Sequence, residues 1–247
     1  MALQERKIQL SKAVLLKDAF TGEPVSSGIR IHSFSGGQVE KKPGGYVLFL
    51  NVCSVEFEAE AESPIYQSRK LFLQTDSGAE VEEVLMYPSF AYPLKAGCTA
   101  VRGRAEPGSV IQFHIEEERE SGKLLEDYQK GEEQISFYRK GAAFHMIWHI
   151  QKKQGKSGEY FSLKHQEENS ECYTLKQPLG SAYQKKDTVI CPAQESIADE
   201  NGEFYLLIQN LPEEKCILHY SCGGNCQEVS RKTEIIRGRE NYIQEEG

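Results

Sequence analysis

The stretch Asp199–Leu211, DENGEFYLLIQNL, restricts what this chain can fold into more than any other. A polar turn, Asp199-Glu200-Asn201-Gly202, opens directly into an alternating run. Phe204, Leu206 and Ile208 share one face of that run, and Tyr205, Leu207 and Gln209 share the other. Period-2 alternation after Asn-Gly marks a strand entered from a tight turn. A looser copy, KPGGYVLFLNV, lies at Lys42–Val52, and a further alternating strand follows each copy. Two glycine-led strands of this kind predict one small β-domain used twice.

The first copy is legible throughout. Val14–Asp18 is a short apolar strand, and Thr21-Gly22 with Pro24 supplies turn chemistry. In Gly28–Phe34, Ile29 and Ile31 oppose Arg30 and His32. Val55, Phe57, Ala59 and Ala61 then alternate with Glu56, Glu58, Glu60 and Glu62, a face to bury against a face to wet. Lys70–Leu73 closes the sheet. Between Tyr87 and Leu94, two prolines among three aromatics exclude a central strand and predict a stiff, aromatic-anchored linker. The expected division is a first sandwich over 1–86, a linker over 87–98 and a second sandwich over 99–247.

The second copy opens with Val101–Ala105 and Pro107-Gly108, followed by Ile111, Phe113 and Ile115 alternating with Gln112 and His114. Its glycine-led strand arrives only at Asp199, followed by strands at Cys216–Cys222 and Thr233–Ile236. The intervening insertion, about 117–197, is too long to be structureless in a compact domain. Ile135–Tyr138 and Ala143–Ile150 read as strands, and Lys123–Lys130 as a helical turn or two. Tyr160–Lys164 and Cys172–Leu175 read as a pair across a polar loop, and Asp187–Ile190 as a short strand.

A strand ending in Asp18, then Thr21-Gly22, Pro24-Val25, Ile29, Ile31, Gly45-Tyr46 and Phe49, resembles the carboxypeptidase-regulatory-like, transthyretin-like β-sandwich over about residues 8–75. The Asp199–Phe204 start is closer still to that pattern. The resemblance implies an all-β protein: two transthyretin-like (Ig-like) β-sandwich domains, the second carrying a long β-rich insertion. It speaks to fold and hardly to activity.

Composition removes several function classes. A net charge of −8 argues against nucleic-acid binding. No apolar run approaches the roughly 18–20 residues of a membrane span. The MALQERKIQLSKAVLL start lacks a secretory pattern, so synthesis in the cytoplasm without a signal peptide is expected. Seven irregularly spaced cysteines do not suggest a disulfide framework. Cys222-Gly-Gly-Asn-Cys226 reads as a hairpin turn, or as half a zinc knuckle with Cys216 or His219.

His145 and His149 share a face on a strand and form a second metal-pair candidate, without the Glu of His-Glu-x-x-His. No Gly-x-Ser-x-Gly elbow or phosphate loop is present. Among transthyretin-like enzymes, hydroxyisourate hydrolases end in Tyr-Arg-Gly-Ser, whereas Arg239–Ile243 differs. The Tyr and His iron ligands of the intradiol dioxygenases find no recognisable spacing here. The expectation is a non-enzymatic protein with no catalytic residue, cofactor or metal.

The stretches Tyr87–Leu94 with Thr99–Gly103, and Tyr173-Thr174-Leu175 with Pro178-Leu179, resemble linkers between sandwich modules in accessory proteins of phage-tail-like contractile injection particles. That resemblance implies an accessory or baseplate-type component whose partners are other protein subunits. The competing reading is a carbohydrate- or peptide-binding module, with a glycan as partner and an aromatic platform on the insertion. Trp148, Tyr160, Phe161, Tyr173 and Tyr183 are the candidate partner-binding residues, and the last four would form the platform. A third account is that these rings only build the insertion's own core.

Overall fold

The computed structural model describes residues 8–75, 81–94, 96–116, 122–139, 147–153, 158–164, 171–209, 211–223 and 229–243. The chain divides into two compact units, Met1–Lys95 and Ala96–Gly247. Among the described residues helix is limited to short 3-10 turns at Pro43–Gly45 and Lys185–Asp187. No helix there is long and apolar enough to cross a membrane.

The first unit holds β1 (Leu10–Asp18), β2 (Arg30–Ser33), β3 (Gln38–Lys41), β4 (Tyr46–Leu50), β5 (Glu56–Glu62), β6 (Arg69–Gln74) and β7 (Val81–Met86). They form two sheets, ordered β3-β4-β1-β7 and β2-β5-β6. Strand β1 is antiparallel to β4 and parallel to β7. The alternation explains the core: Val14, Leu16, Val47, Phe49, Val84 and Met86 from one sheet pack with Phe57, Ala59, Ala61, Leu71 and Leu73 from the other. Glu56 and Glu58 face solvent, as the pattern predicts. Val55 does not share the fate of Phe57. It precedes β5 and is 73% exposed, because the ladder begins one residue later.

Asp18 ends β1 and organises the turn that follows. Its Oδ1 accepts the N–H groups of Phe20 (2.7 Å) and Thr21 (3.0 Å), an Asx-type turn closure. Its Oδ2 accepts the hydroxyls of Tyr66 (2.7 Å) and Tyr92 (2.5 Å). Burial, then the Asp18 carboxylate beside it, pushes the Tyr66 phenol well above its usual range. Residues 87–94 are anchored on the first unit by their aromatic side chains. Tyr87 is buried, Tyr66 bridges Pro88, and Tyr92 packs on the first core.

The second unit holds β8 (Cys98–Arg104), β9 (Val110–Ile115), β10 (Gly122–Leu124), β11 (Gln134–Arg139), β12 (Ile147–Lys152), β13 (Gly158–Ser162), β14 (Cys172–Thr174), β15 (Thr188–Ile197), β16 (Glu203–Gln209), β17 (Lys215–Gly223), β18 (Val229–Ile236) and β19 (Glu240–Tyr242). Its sandwich repeats the first. The sheet β16-β8-β19 matches β4-β1-β7, with the same antiparallel and parallel senses. The run β9-β17-β18 matches β2-β5-β6. Val101, Phe204, Leu206 and Ile208 pack with Ile111, Phe113, Leu218 and Ile235 between these sheets.

The glycine opening β4 and the one opening β16 do the same work. Gly45 (φ +82°) and Gly202 (φ +76°) hold backbone that L side chains rarely adopt. A Cβ on Gly45 would meet the Leu16 carbonyl at 2.9 Å and Pro24 at 3.1 Å. On Gly202 it would meet the Ala105 carbonyl at 2.4 Å and Pro107 at 3.7 Å. Each glycine thus lets its strand abut the end of the first strand and the proline of the first turn.

In chain order the insertion stands where β3 does in the first unit, but it joins the other sheet, through β15 on β9. Its strands β10–β14 and the first half of β15 enclose a separate core of Leu124, Phe137, Trp148, Ile150, Phe161, Leu163 and Ile190 among others. Lys123–Lys130 is not helical, since β10 pairs with β11 there and Tyr128 bridges Tyr183. Strands β13 and β14 pair chiefly with β12 and β11, and among the described residues the expected 160–164 and 172–175 pair is reduced to the antiparallel Leu163–Leu175 bridge. Strand β15 crosses from insertion to sandwich: residues 188–193 pair with β12, and 194–197 with β9. The insertion proper thus ends before 197. Pro192, which has no N–H to donate, sits close to that crossing.

Candidate functional site

At the crossing, side chains from five strands meet on one face. Directly opposed residues of paired strands point to the same side of a sheet. His149 on β12 lies opposite Tyr160 on β13 and Cys191 on β15. His114 on β9 lies opposite His219 on β17. The face carrying these groups is the one turned away from both cores, because Trp148, Ile150, Phe161 and Ile190 alternate with them in the insertion, and Phe113, Ile115, Leu218 and Tyr220 in the sandwich.

The three imidazoles form a column. The rings of His114 and His149 stack at 3.9 Å with planes 12° apart, and His219 stacks on the other side of His114 at 5.0 Å and 13°. The His114 Nδ1 lies 2.9 Å from the Tyr160 hydroxyl. The Cys191 sulfur lies 3.9 Å from the His149 Nδ1. At the outer end, the His219 Nε2–H donates to Glu116 at 2.8 Å. His114, His149 and Cys191 are 7%, 4% and 5% exposed. Glycine at 158 is a condition of this packing, since a Cβ there would stand 2.4 Å from the His149 Nε2.

Electrostatics keep the inner rings neutral. Burial first, then repulsion from the His149 and His219 rings, pulls His114 down to about 2. Burial and then His219 pull His149 down to about 4. Neutral imidazole is the form that binds a metal, and Cys is its usual companion at nitrogen–sulfur sites. One ligand atom from each of His114, His149 and Cys191 lies within 4.8 Å of the others.

The ring residues singled out from the sequence are distributed differently. Trp148, Phe161, Tyr173 and Tyr183 are buried in the insertion core, with Phe137 edge-on to Trp148 at 5.1 Å. The Tyr183 hydroxyl donates to Glu159 at 2.8 Å. Packing accounts for these four rings, so they form no solvent-facing platform. Tyr160 is half-buried and belongs to the histidine cluster. His145 and Cys226 lie outside the described residues. His149 finds its partners in His114 and Cys191 instead.

Sequence reading missed the cluster because its His and Cys members sit 28 to 105 positions apart. The available signal was weak: a polar His or Cys at an outward position of each of several strands. Only pairing register turns those positions into neighbours.

No family model matches the chain, and no curated protein matches it. Among solved structures it is similar to the shaft pilin SpaA from Lactobacillus rhamnosus GG, at 9% identity over 94% of this chain and 96% of that one, with a TM-score of 0.23. The D00–D0 domain of Intimin is similar at 9% identity, covering 93% of this chain and 97% of that one, with a TM-score of 0.15. Scores at this level assign neither fold nor function.

Proposed function

We infer that this chain is a non-enzymatic structural or interaction protein, with its two sandwiches as a scaffold inside a larger assembly of protein subunits. One observation carries the reading. On the outer face of the first unit, the Phe34 N–H donates to the Glu58 carbonyl at 3.0 Å, and Glu58 pairs with Phe72. Phe34 and Phe72 thus flank a glutamate across adjacent strands, 61% and 72% exposed. The core beneath is already filled by Phe57, Leu71 and Leu73, so the fold has no need of them. Exposed aromatic rings are common anchors of interfaces.

The more specific setting is an accessory or baseplate-type position in a phage-tail-like contractile injection particle. It is supported by the sequence resemblance of 87–103 and 173–179 to stretches of such accessory proteins, and by the double use of a sandwich with the transthyretin-like signature. The carbohydrate-binding alternative is weaker, since three of its four platform rings, Phe161, Tyr173 and Tyr183, are interior. The test is Phe72→Glu in a producing cell, followed by recovery of the tagged chain with the assembled particle. Recovery should fall about tenfold while the thermal midpoint stays within a degree or so, as for surface changes. Undiminished recovery would overturn the role of this face.

A further inference from the structure

The buried cluster at the crossing of β15 has the donor set of a transition-metal centre, and its position gives such a centre a task. We propose that one Zn2+ ion is held there by a ring nitrogen of His114, a ring nitrogen of His149 and the thiolate of Cys191, and that it ties the insertion to the second sandwich. Each ligand comes from a different strand: His114 from the sandwich strand β9, His149 from the insertion strand β12, and Cys191 from the shared strand β15. A single ion would link all three.

The chemistry selects the metal class. Two imidazoles with one thiolate suit a borderline-soft ion such as Zn2+ and are poor ligands for Mg2+ or Ca2+. The Tyr160 hydroxyl at the His114 Nδ1 leaves Nε2 for the ion and fixes the ring, as outer partners of metal-bound histidines do. The His149 ring has as its hydrogen-bonding contact the Cys191 sulfur at 3.9 Å, a long one that a metal would replace. Binding releases the proton of the Cys191 thiol as the sulfur–zinc bond forms.

The stack must open for this. With planes 12° apart, one ion cannot lie in both ring planes, so at least one imidazole turns about χ2. That torsion has a broad energy profile. A tetrahedral ion with bonds of about 2.0 Å to nitrogen and about 2.3 Å to sulfur holds its ligand atoms roughly 3.3–3.6 Å apart. The present spread of up to 4.8 Å is within reach of side-chain rotation. Water completes the fourth position.

The experiment uses the full chain with Cys222 and Cys226 changed to serine, which removes the other cysteine pair able to bind zinc. Native mass spectrometry after exposure to Zn2+ should show one ion per chain. Co2+ should give tetrahedral d–d bands with a thiolate charge-transfer band. Cys191→Ser should abolish that band and weaken zinc binding at least tenfold, as should His149→Gln, while His32→Gln leaves both unchanged. Should a cluster variant fail to fold, the cobalt spectrum of its parent decides: a thiolate band that appears while Cys191 becomes resistant to alkylation supports the site. A folded parent that takes up no stoichiometric Zn2+ or Co2+, or binding that survives Cys191→Ser and His149→Gln undiminished, would overturn the proposal.

Discussion

The second strands of the two sandwiches each carry a histidine on the face turned away from the core, and the two meet opposite fates. In the first unit His32 on β2 stands at a sheet edge, largely exposed, 3.5 Å from Glu62. In the second, His114 on β9 is buried between His149 and His219. The topology around them is the same. What differs is that β9 has β15 along part of its length, and the inserted strands bring His149, Tyr160 and Cys191 to that face. An outward polar position is a solvated surface in one copy and a site in the other, and the insertion makes the difference.

The repeats should respond alike to changes in what they share and differently to changes in what they do not. The largest shared effect is in the core. Phe57→Ala should cost the first unit about 3–5 kcal/mol, while Glu58→Ala stays near zero. Urea unfolding followed by amide exchange in β1–β4 measures both, and equal losses would mean that the alternation does not set the faces.

The paired glycines come next. Gly202→Ala should cost about 3 kcal/mol, from left-handed backbone and a Cβ pressed on the Ala105 carbonyl. Gly45→Ala, with its carbonyl neighbour at 2.9 Å rather than 2.4 Å, should cost less, about 2 kcal/mol. Trp148, the one tryptophan in the chain, reports on the second unit by fluorescence. A larger loss for Gly45→Ala would break the parallel.

Acid should separate the repeats. His149 has a folded value of about 4 against 6.5 for the ordinary ring, and His114 lies lower still. Below pH 6.5 the unfolded chain takes up protons that the folded chain refuses, so stability is full above 6.5 and is lost as pH falls toward 4. For His149 alone that loss is on the order of 3 kcal/mol in the metal-free protein. Trp148-detected unfolding should show it, and His149→Gln should flatten the profile. A flat profile in the unaltered chain would remove the buried neutral pair. The smallest effect is at Asp18. Tyr92→Phe removes one of its four donors and should cost the first unit about 1 kcal/mol, measured by the same exchange experiment.

The double use of one sandwich was legible because it rests on local physics. Alternation sets which residues face a core, and Gly45 and Gly202 are required by backbone that other residues adopt at a cost. Phe57, Ile111, Phe113, Phe204 and Leu206 all fall inside as their spacing demands. Short segments were less secure. Lys123–Leu124 became a strand because Gly122–Leu124 found β11 and β15 as neighbours, a tertiary event that overrides local preference.

The sequence by itself determined that the chain is built of strands, where most of them lie, and which of their residues turn inward. Tertiary structure alone decided the site. Whether His149 meets His145, His114 or water depends on which strand lies beside which and in what register, and a shift of one residue would send the ring to the other face. Pairing partners so far apart in the chain are selected by the fit of whole sheets, and no local pattern around His114, His149 or Cys191 records that choice.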